Sequence, residues 1–426
     1  MTSDLQSAIF YKDFLRVGGM CMFTKENIRK NAPAFLRVVL ISVLVGVTCG
    51  LVGAIFVKAI TFVTNVRENN DWVLYLLPLF GLIVAVLYKE FKIEGTGTNH
   101  IIKSVRTDKR VSPLLGVAVF LGTVLSHFGG ASVGREGAAL QVGGSIGELF
   151  AEKFKIPEGF RRILVMSGMS ACFAALFGTP IAAFVFVLEV VRVGERCFAA
   201  FVPAFVSGGI AFLLSNKLGV EPEYFPLSSV PDLSFNVLWK FILIVVVGAY
   251  VSELFVYALH FSEKGFKKLF KNEYIRVVVG GVILIALTKL TGTNDYNGGG
   301  MNVIHHIFTD GTVHYEAFLL KIIFTAVSVG ACYRGGEIVP TLFVGGAFGG
   351  AAASILGLDP SFSAAIGIVT LFSGVTNCPV STIILACAMF GIEGVGYFAV
   401  ASIISYALSG KVSLYKGRKT PFVKNH

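Results

Sequence analysis

The chain has 426 residues, 54% of them hydrophobic and 15% charged, with 36 Lys and Arg against 26 Asp and Glu for a formal net charge of +10. Soluble domains carry about 25% charged residues, so a chain this long and this poor in charge reads as an integral membrane protein. The same scarcity excludes nucleic-acid binding as the reason for the positive charge, because no soluble basic domain is left to carry it.

The first 30 residues are polar and lack an apolar core, so no cleavable leader is expected. Lys25, Arg29 and Lys30 precede the first apolar span, and Lys411, Lys416, Arg418, Lys419 and Lys424 follow the last. Positive flanks mark the cytoplasmic face, which predicts both termini inside the cell membrane and an even number of crossings. "VVLISVLVGVTCGLVGAIFV", from Val38 to Val57, is uncharged. It is long enough to cross a bilayer core of about 30 Å. Apolar runs recur at "WVLYLLPLFGLIVAVLY", "LLGVAVFLGTVLSHF", "FILIVVVGAYV", "VVVGGVILIALTKL", "FLLKIIFTAVSVGACY", "TIILACAMFG" and "YFAVASIISYAL". Many are short or broken by Gly and Pro. Such helices persist in lipid only where protein or a water-lined cavity satisfies the freed backbone groups, so the pattern predicts a transporter or channel interior. Close helix packing accounts for part of the 48 glycines, but not for their clustering beside charges. "KGFKKLFK", Lys264 to Lys271, reads as a cytoplasmic loop beside anionic lipid.

Three stretches occur twice in the same order. "GTNHII" at 97–102 matches "GMNVIH" at 300–305, "VGGSIG" at 142–147 matches "VGGAFG" at 344–349, and "TPIAAFVFVLE" from 179 matches "CPVSTIILACA" from 378, at offsets of 203, 202 and 199. A nearly constant offset predicts duplicated halves, the arrangement in which transporters place an ion site at mid-membrane between inverted repeats. The expected division is a cytoplasmic segment at 1–30, a first membrane repeat at 31–215, a Pro-bearing connection at 216–235, a second repeat at 236–410 and a short basic tail at 411–426.

The repeat pairs "GREGAALQVGG" at 134–144 with "GGEIVPTLFVGG" at 335–346, so Arg135 answers to Glu337 and Glu136 to Ile338. Each begins with glycine and a charge and runs into an apolar helix. A glycine-rich entry leaves the first helical N–H groups open, and the helix dipole favours an anion there. Further helix starts are expected at "GTGTN" and "GGGMN". Glu136 then reads as a carboxylate that competes with an anion and leaves when protonated, against a plain salt bridge as the alternative. Arg135 reads as a structural donor to loop carbonyls. Glu337 is either a second proton-handling or selectivity acid, or a partner of Arg334 or Arg135. Thr96 and Thr98 supply hydroxyls that cap their own helix or donate to the anion. Glu189 sits alone on an apolar helix, with a hydrogen-bonding and a proton-path reading both open. His100, His305, His306 and His314 are placed in polar turns without metal-ligand spacing, and the seven cysteines read as small buried hydrophobes.

These motifs, in this order, resemble the CLC family of chloride channels and anion/proton antiporters over about residues 35 to 416. "GREG" followed by "LQVGGSIG" carries the resemblance furthest. "GTGTN" stands at the family's first glycine-rich motif, "GGEIVP" at its third, and "SLY" at the anion-coordinating tyrosine. The resemblance implies an all-α membrane fold, an inverted repeat of many tilted and partly broken helices. It implies a homodimer with an anion pathway in each subunit and no cofactor. It makes Glu136 the external gating glutamate. It assigns Thr98 or Thr96, with Tyr415, to the central anion, where the amides of Glu337 and Ile338 join them, and it gives the amides of Arg135, Glu136 and Gly137 to the outer site. The short tail after Tyr415 leads us to expect no cytoplasmic nucleotide-binding pair. Val190 stands where many members have an internal proton-transfer glutamate, and Glu337 replaces an apolar residue. Both departures, with "GTNHII", resemble the bacterial fluoride-handling branch, whereas Val339 stands where that branch has threonine.

The function expected is therefore exchange of a halide, fluoride or chloride, for protons. The alternatives are a passive anion channel and, more remotely, a membrane enzyme using Glu136 and Glu337 as acid and base.

Overall fold

The computed structural model describes residues 25–93, 97–107, 109–191, 198–311, 313–410 and 413–415, without the side chains of 25–31 and 198. Among these residues there are sixteen α-helices and no strand. In chain order they are α1 (Lys25–Glu68), α2 (Leu77–Glu90), α3 (Thr98–Arg106), α4 (Leu114–Gly129), α5 (Glu136–Lys153), α6 (Glu158–Phe177), α7 (Pro180–Val191) and α8 (Phe201–Lys217) in the first half. The second half holds α9 (Phe235–Leu269), α10 (Glu273–Thr291), α11 (Met301–Thr309), α12 (Ala317–Gly330), α13 (Ile338–Leu356), α14 (Pro360–Thr376), α15 (Pro379–Phe390) and α16 (Val395–Leu408).

Lipid is legible on the long helices. On α1, Val38, Ile41, Val45, Cys49 and Phe56 are buried, while Leu36, Leu40, Leu44, Leu51 and Ile55 stand exposed. An apolar stripe on both faces of one helix suits a chain whose outer surface is not in water. Among the described residues, six helical stretches are long and apolar enough to span, at Ala32–Glu68, Asp71–Glu90, Glu158–Phe177, Phe235–Leu269, Glu273–Thr291 and Ile338–Leu356.

The two halves pack by the same plan. The contacts of α5 with α6, α6 with α8, α1 with α8 and α4 with α5 recur as α13 with α14, α14 with α16, α9 with α16 and α12 with α13. Three further contacts, α2 with α10, α7 with α15 and α5 with α13, join a helix to its own repeat mate and so lie along the axis relating the halves. Close packing at the centre rests on small residues. A Cβ on Gly143 or Gly147 would collide with backbone of α6, and one on Gly345 or Gly349 with backbone of α14.

Two local expectations are corrected. "KGFKKLFK" is not a loop, since α9 continues to Leu269 and Lys267 pairs with Glu263 one turn earlier at 3.1 Å. Lysines suit a helix C-terminus because they oppose its dipole. His100, His305 and His306 lie on α3 and α11 rather than in turns. Both helices are short amphipathic segments, whose polar faces make them look like loops in the sequence.

Candidate functional site

Three helices away from the centre carry side-chain caps. Ser234 accepts from the Val237 amide at 3.3 Å, Asn272 from Tyr274 at 2.9 Å and Asp359 from Phe362 at 2.8 Å. The starts of α3, α5, α11 and α13 have no such cap from their N-cap residue. These four starts are brought together. Gly134 and Gly336 form a two-residue antiparallel bridge, each amide donating to the other's carbonyl at 2.6 Å. The two residues are 202 apart, so each meets its own repeat mate, as a local two-fold axis requires. Gly137 packs so tightly on Gly336 that a Cβ on Gly137 would come within 2.8 Å of the Gly336 Cα. Only glycine permits that approach. On the second-half side, Gly299 lies against Val339 and Gly300, with φ of 78°, against Phe343 in the first turns of α13.

Glu136 is buried at the head of α5, and its carboxylate accepts from the Arg135 amide at 3.1 Å and from Arg135 Nε at 3.2 Å. The first intrahelical bond of α5 runs from the Ala139 amide to the Arg135 carbonyl. The carboxylate therefore places a negative charge at an open helix head, where the helix dipole favours it. Arg135 does not serve loop carbonyls as expected. Its guanidinium divides between Glu136 and Glu223, with Nη2 donating to Glu223 at 2.5 Å. Carboxylates outcompete carbonyls for a guanidinium because the bonds are charge-assisted.

Glu337 is the N-cap of α13, and its Oε2 would lie 3.7 Å from a Cβ on Gly137. The partnership with Arg334 or Arg135 is not what forms. Arg334 donates to Glu273 at 2.7 Å and lies over the Tyr88 ring at 4.1 Å. Ile338 is buried as the first residue of α13. Thr98 begins α3, and its hydroxyl caps neither its own helix nor a neighbouring turn. It donates to the Gly137 carbonyl at 3.3 Å and accepts from Gln141 Nε2 at 3.0 Å. The packing of α3 on α5 thus takes up this hydroxyl. Thr96 lies outside the described residues. Asn99 reaches the Leu414 carbonyl at 3.1 Å, which carries buried Tyr415 to the α3 head, with the Phe186 ring 6.2 Å from its own. Arg135, Glu136, Gly137, Glu337, Ile338, Thr98 and Tyr415 thus gather around one region.

Four participants went unread in the sequence. Gln141 is one of few amides on a glycine-rich helix, five residues from Glu136, and that isolation was a usable signal. Glu223 gave none, being one acid in a polar connection. Lys321 is fully buried on α12 and donates to the carbonyls of Tyr296 and Gly298 at 3.0 and 2.8 Å, holding the loop before α11. Arg67 lies against Gly298 of the same loop, 3.0 Å from where a Cβ on that glycine would stand, and donates to the His127 carbonyl in the last turn of α4 at 2.8 Å. Glu189 makes the bonds its hydrogen-bonding reading expects, and the proton-path reading is not tested by them. Its carboxylate accepts from the amides of Val380 and Ser381 at 3.2 and 2.7 Å and from the Ser381 hydroxyl at 2.7 Å, at the head of α15.

Residues 80–410 match the family described as Voltage gated chloride channel. The chain belongs to this family. The CLC fold found here is shared with a CLC-type fluoride/proton antiporter of known crystal structure, at a TM-score of 0.86, 28% identity and coverage of 92% of this chain and 98% of that one. A slow cyanobacterial Cl−/H+ antiporter shares it at a TM-score of 0.76 and 20% identity, over 88% of this chain and 94% of that one. In sequence, the chain is similar to a "Chloride/fluoride channel protein" of Pseudomonas syringae pv. tomato, 32% identical over 96% of this chain and 92% of the relative. It is also similar to the "H(+)/Cl(-) exchange transporter ClcA" of Vibrio vulnificus, 27% identical over 88% of this chain and 86% of the relative. As a CLC protein the chain is a multi-pass membrane transporter or channel, and the enzyme alternative falls away.

Proposed function

We propose that this CLC protein exchanges a halide for protons across the cell membrane, as a homodimer with one pathway per subunit and both termini cytoplasmic. Fluoride is the substrate we assign ahead of chloride. The observation that carries the reading is the Glu136 carboxylate seated where four helix heads meet, held by the Arg135 amide and guanidinium. Protonation removes its charge and weakens both bonds. The neutral side chain then yields the head of α5 to an incoming halide, and the proton travels with the side chain. The inner side of the site is supplied by the amides of Glu337 and Ile338, the Tyr415 hydroxyl and the Thr98 hydroxyl once it turns from the Gly137 carbonyl, and the outer side by Arg135, Glu136 and Gly137.

Fluoride is small and loses more hydration free energy on entering a low-dielectric site than chloride does, so it needs strong donors at close range. Glu337 supports this assignment, because a protonated carboxyl at the head of α13 is such a donor. A solved structure named as a fluoride/proton antiporter, at 28% identity, supports fluoride, and a relative at 32% identity is named for both chloride and fluoride.

The test is flux from liposomes holding purified protein, with fluoride or chloride loaded and external pH recorded. An imposed fluoride gradient should drive protons uphill, and Glu136→Gln should leave halide flux that no longer moves protons. Halide flux without proton movement in the unaltered protein would instead make it a passive channel.

A further inference from the structure

We propose that Glu223 is a positioning residue for Arg135, and that through Arg135 it sets the pH at which Glu136 yields the helix heads. The inference rests on the gating role given to Glu136 above. Its basis is geometric. One guanidinium serves two carboxylates, at 3.2 Å to Glu136 and 2.5 Å to Glu223. Glu223 comes from the segment between α8 and α9, and that segment is fastened on both sides of it. Pro222 presses on Gly178 at the end of α6, where a Cβ on Gly178 would be 2.5 Å from the proline Cβ. Phe225 donates its amide to the Met389 carbonyl at 2.8 Å, and its buried ring lies 4.7 Å from His305 and 5.2 Å from Phe308. A fixed strap thus delivers a carboxylate to the arginine from outside α5.

The two acids oppose each other through this arginine. Arg135 favours ionised Glu136, whereas the charge on Glu223 disfavours it and holds part of the guanidinium away. When Glu136 leaves, Glu223 keeps Arg135 in place for its return. Removing the Glu223 charge gives Arg135 wholly to Glu136, so the ionised carboxylate stays in place to lower pH. Among the described residues, the other titratable groups toward this end of α5 include Glu337 at the head of α13, His127 on α4, Arg67 on α1 and Lys321 on α12. All four are unchanged by the substitution, so a difference between variants isolates Glu223. Arg161 and Glu148 pair at the other end of the helix.

The experiment measures fluoride efflux from liposomes across a pH series for the full chain, Glu223→Gln, Glu223→Asp and Glu136→Gln, with melting temperatures in parallel. Glu223→Gln should move the pH midpoint of efflux to the acid side by about 0.5–1 unit, and Glu223→Asp should return it toward the unaltered protein. A uniform loss of flux at every pH with the midpoint unmoved, or no change at all, would overturn the inference and make Glu223 a structural strap. If Glu136→Gln retains the full pH dependence, the gating role fails and the inference with it. If Glu136→Gln abolishes that dependence while Glu223→Gln leaves the midpoint unmoved, the inference alone fails.

Discussion

Replacing Gly336 by alanine tests whether the meeting of the two halves is what builds the site. A Cβ on Gly336 would lie 2.7 Å from the Gly137 Cα, and closer still to the Gly137 amide nitrogen. That is about 1 Å inside ordinary carbon–carbon contact. The opposing atoms are backbone, so no rotamer change relieves the clash. Overpacking of this kind costs about 1–3 kcal/mol. Parting the loops also loosens the two 2.6 Å bonds between Gly134 and Gly336. Each contributes about 0.5–1.5 kcal/mol. Together the substitution should destabilise by about 2–6 kcal/mol and separate the heads of α5 and α13. The assay is thermal unfolding in detergent beside fluoride efflux from liposomes. The control is Gly209→Ala on α8, where a Cβ meets nothing within 4 Å. Alanine there should be neutral or stabilise by up to about 1 kcal/mol. If Gly336→Ala melts with the unaltered protein and transports at its rate, the bridge does not organise the site.

Other substitutions separate structure from transport. Gln141→Leu removes the donor to Thr98 and the Gly137 carbonyl. It should weaken halide affinity severalfold in concentration-dependent flux while leaving the protein folded. Lys321→Met strands the carbonyls of Tyr296 and Gly298. It should raise hydrogen exchange across residues 293–300 and lower the melting temperature, and unchanged protection there would count against the pinning role. Glu189→Gln loses the charge-assisted cap on α15, which costs about 1 kcal/mol. The proton-to-halide ratio should be unchanged, and a collapse of that ratio would return Glu189 to a proton path.

Much of this molecule was legible from punctuation in the sequence. Glycine and charge interrupting apolar runs marked the heads of α5 and α13, and the near-constant offset marked them as mates. Glu136 and Glu337 stood out because an acid inside an apolar run is costly and rarely placed without use. What stayed hidden depends on partners distant along the chain. Arg135 finds Glu223 88 residues away, and Glu189 finds Ser381 192 residues away. No periodicity connects such pairs. Lys321 in "FLLKIIF" has the same sequence appearance whether it reaches for lipid headgroups or, as here, for two buried carbonyls. The Thr98 bond was missed for a related reason, since its acceptor is on α5 and not in its own turn.

The bridge between Gly134 and Gly336 has an electrical consequence. A frame that repeats itself about an axis would, with identical sequences, present the same charge on both sides of that axis. At the residue beside the bridge the halves differ in sign, Arg135 in one and Glu337 in the other. Arg135 faces an anchored acid at Glu223, while among the described residues Glu337 has no ion-pair partner and its neighbour Arg334 is taken by Glu273. The backbone is thus nearly reversible at its centre, but the electrostatic field across it has a direction.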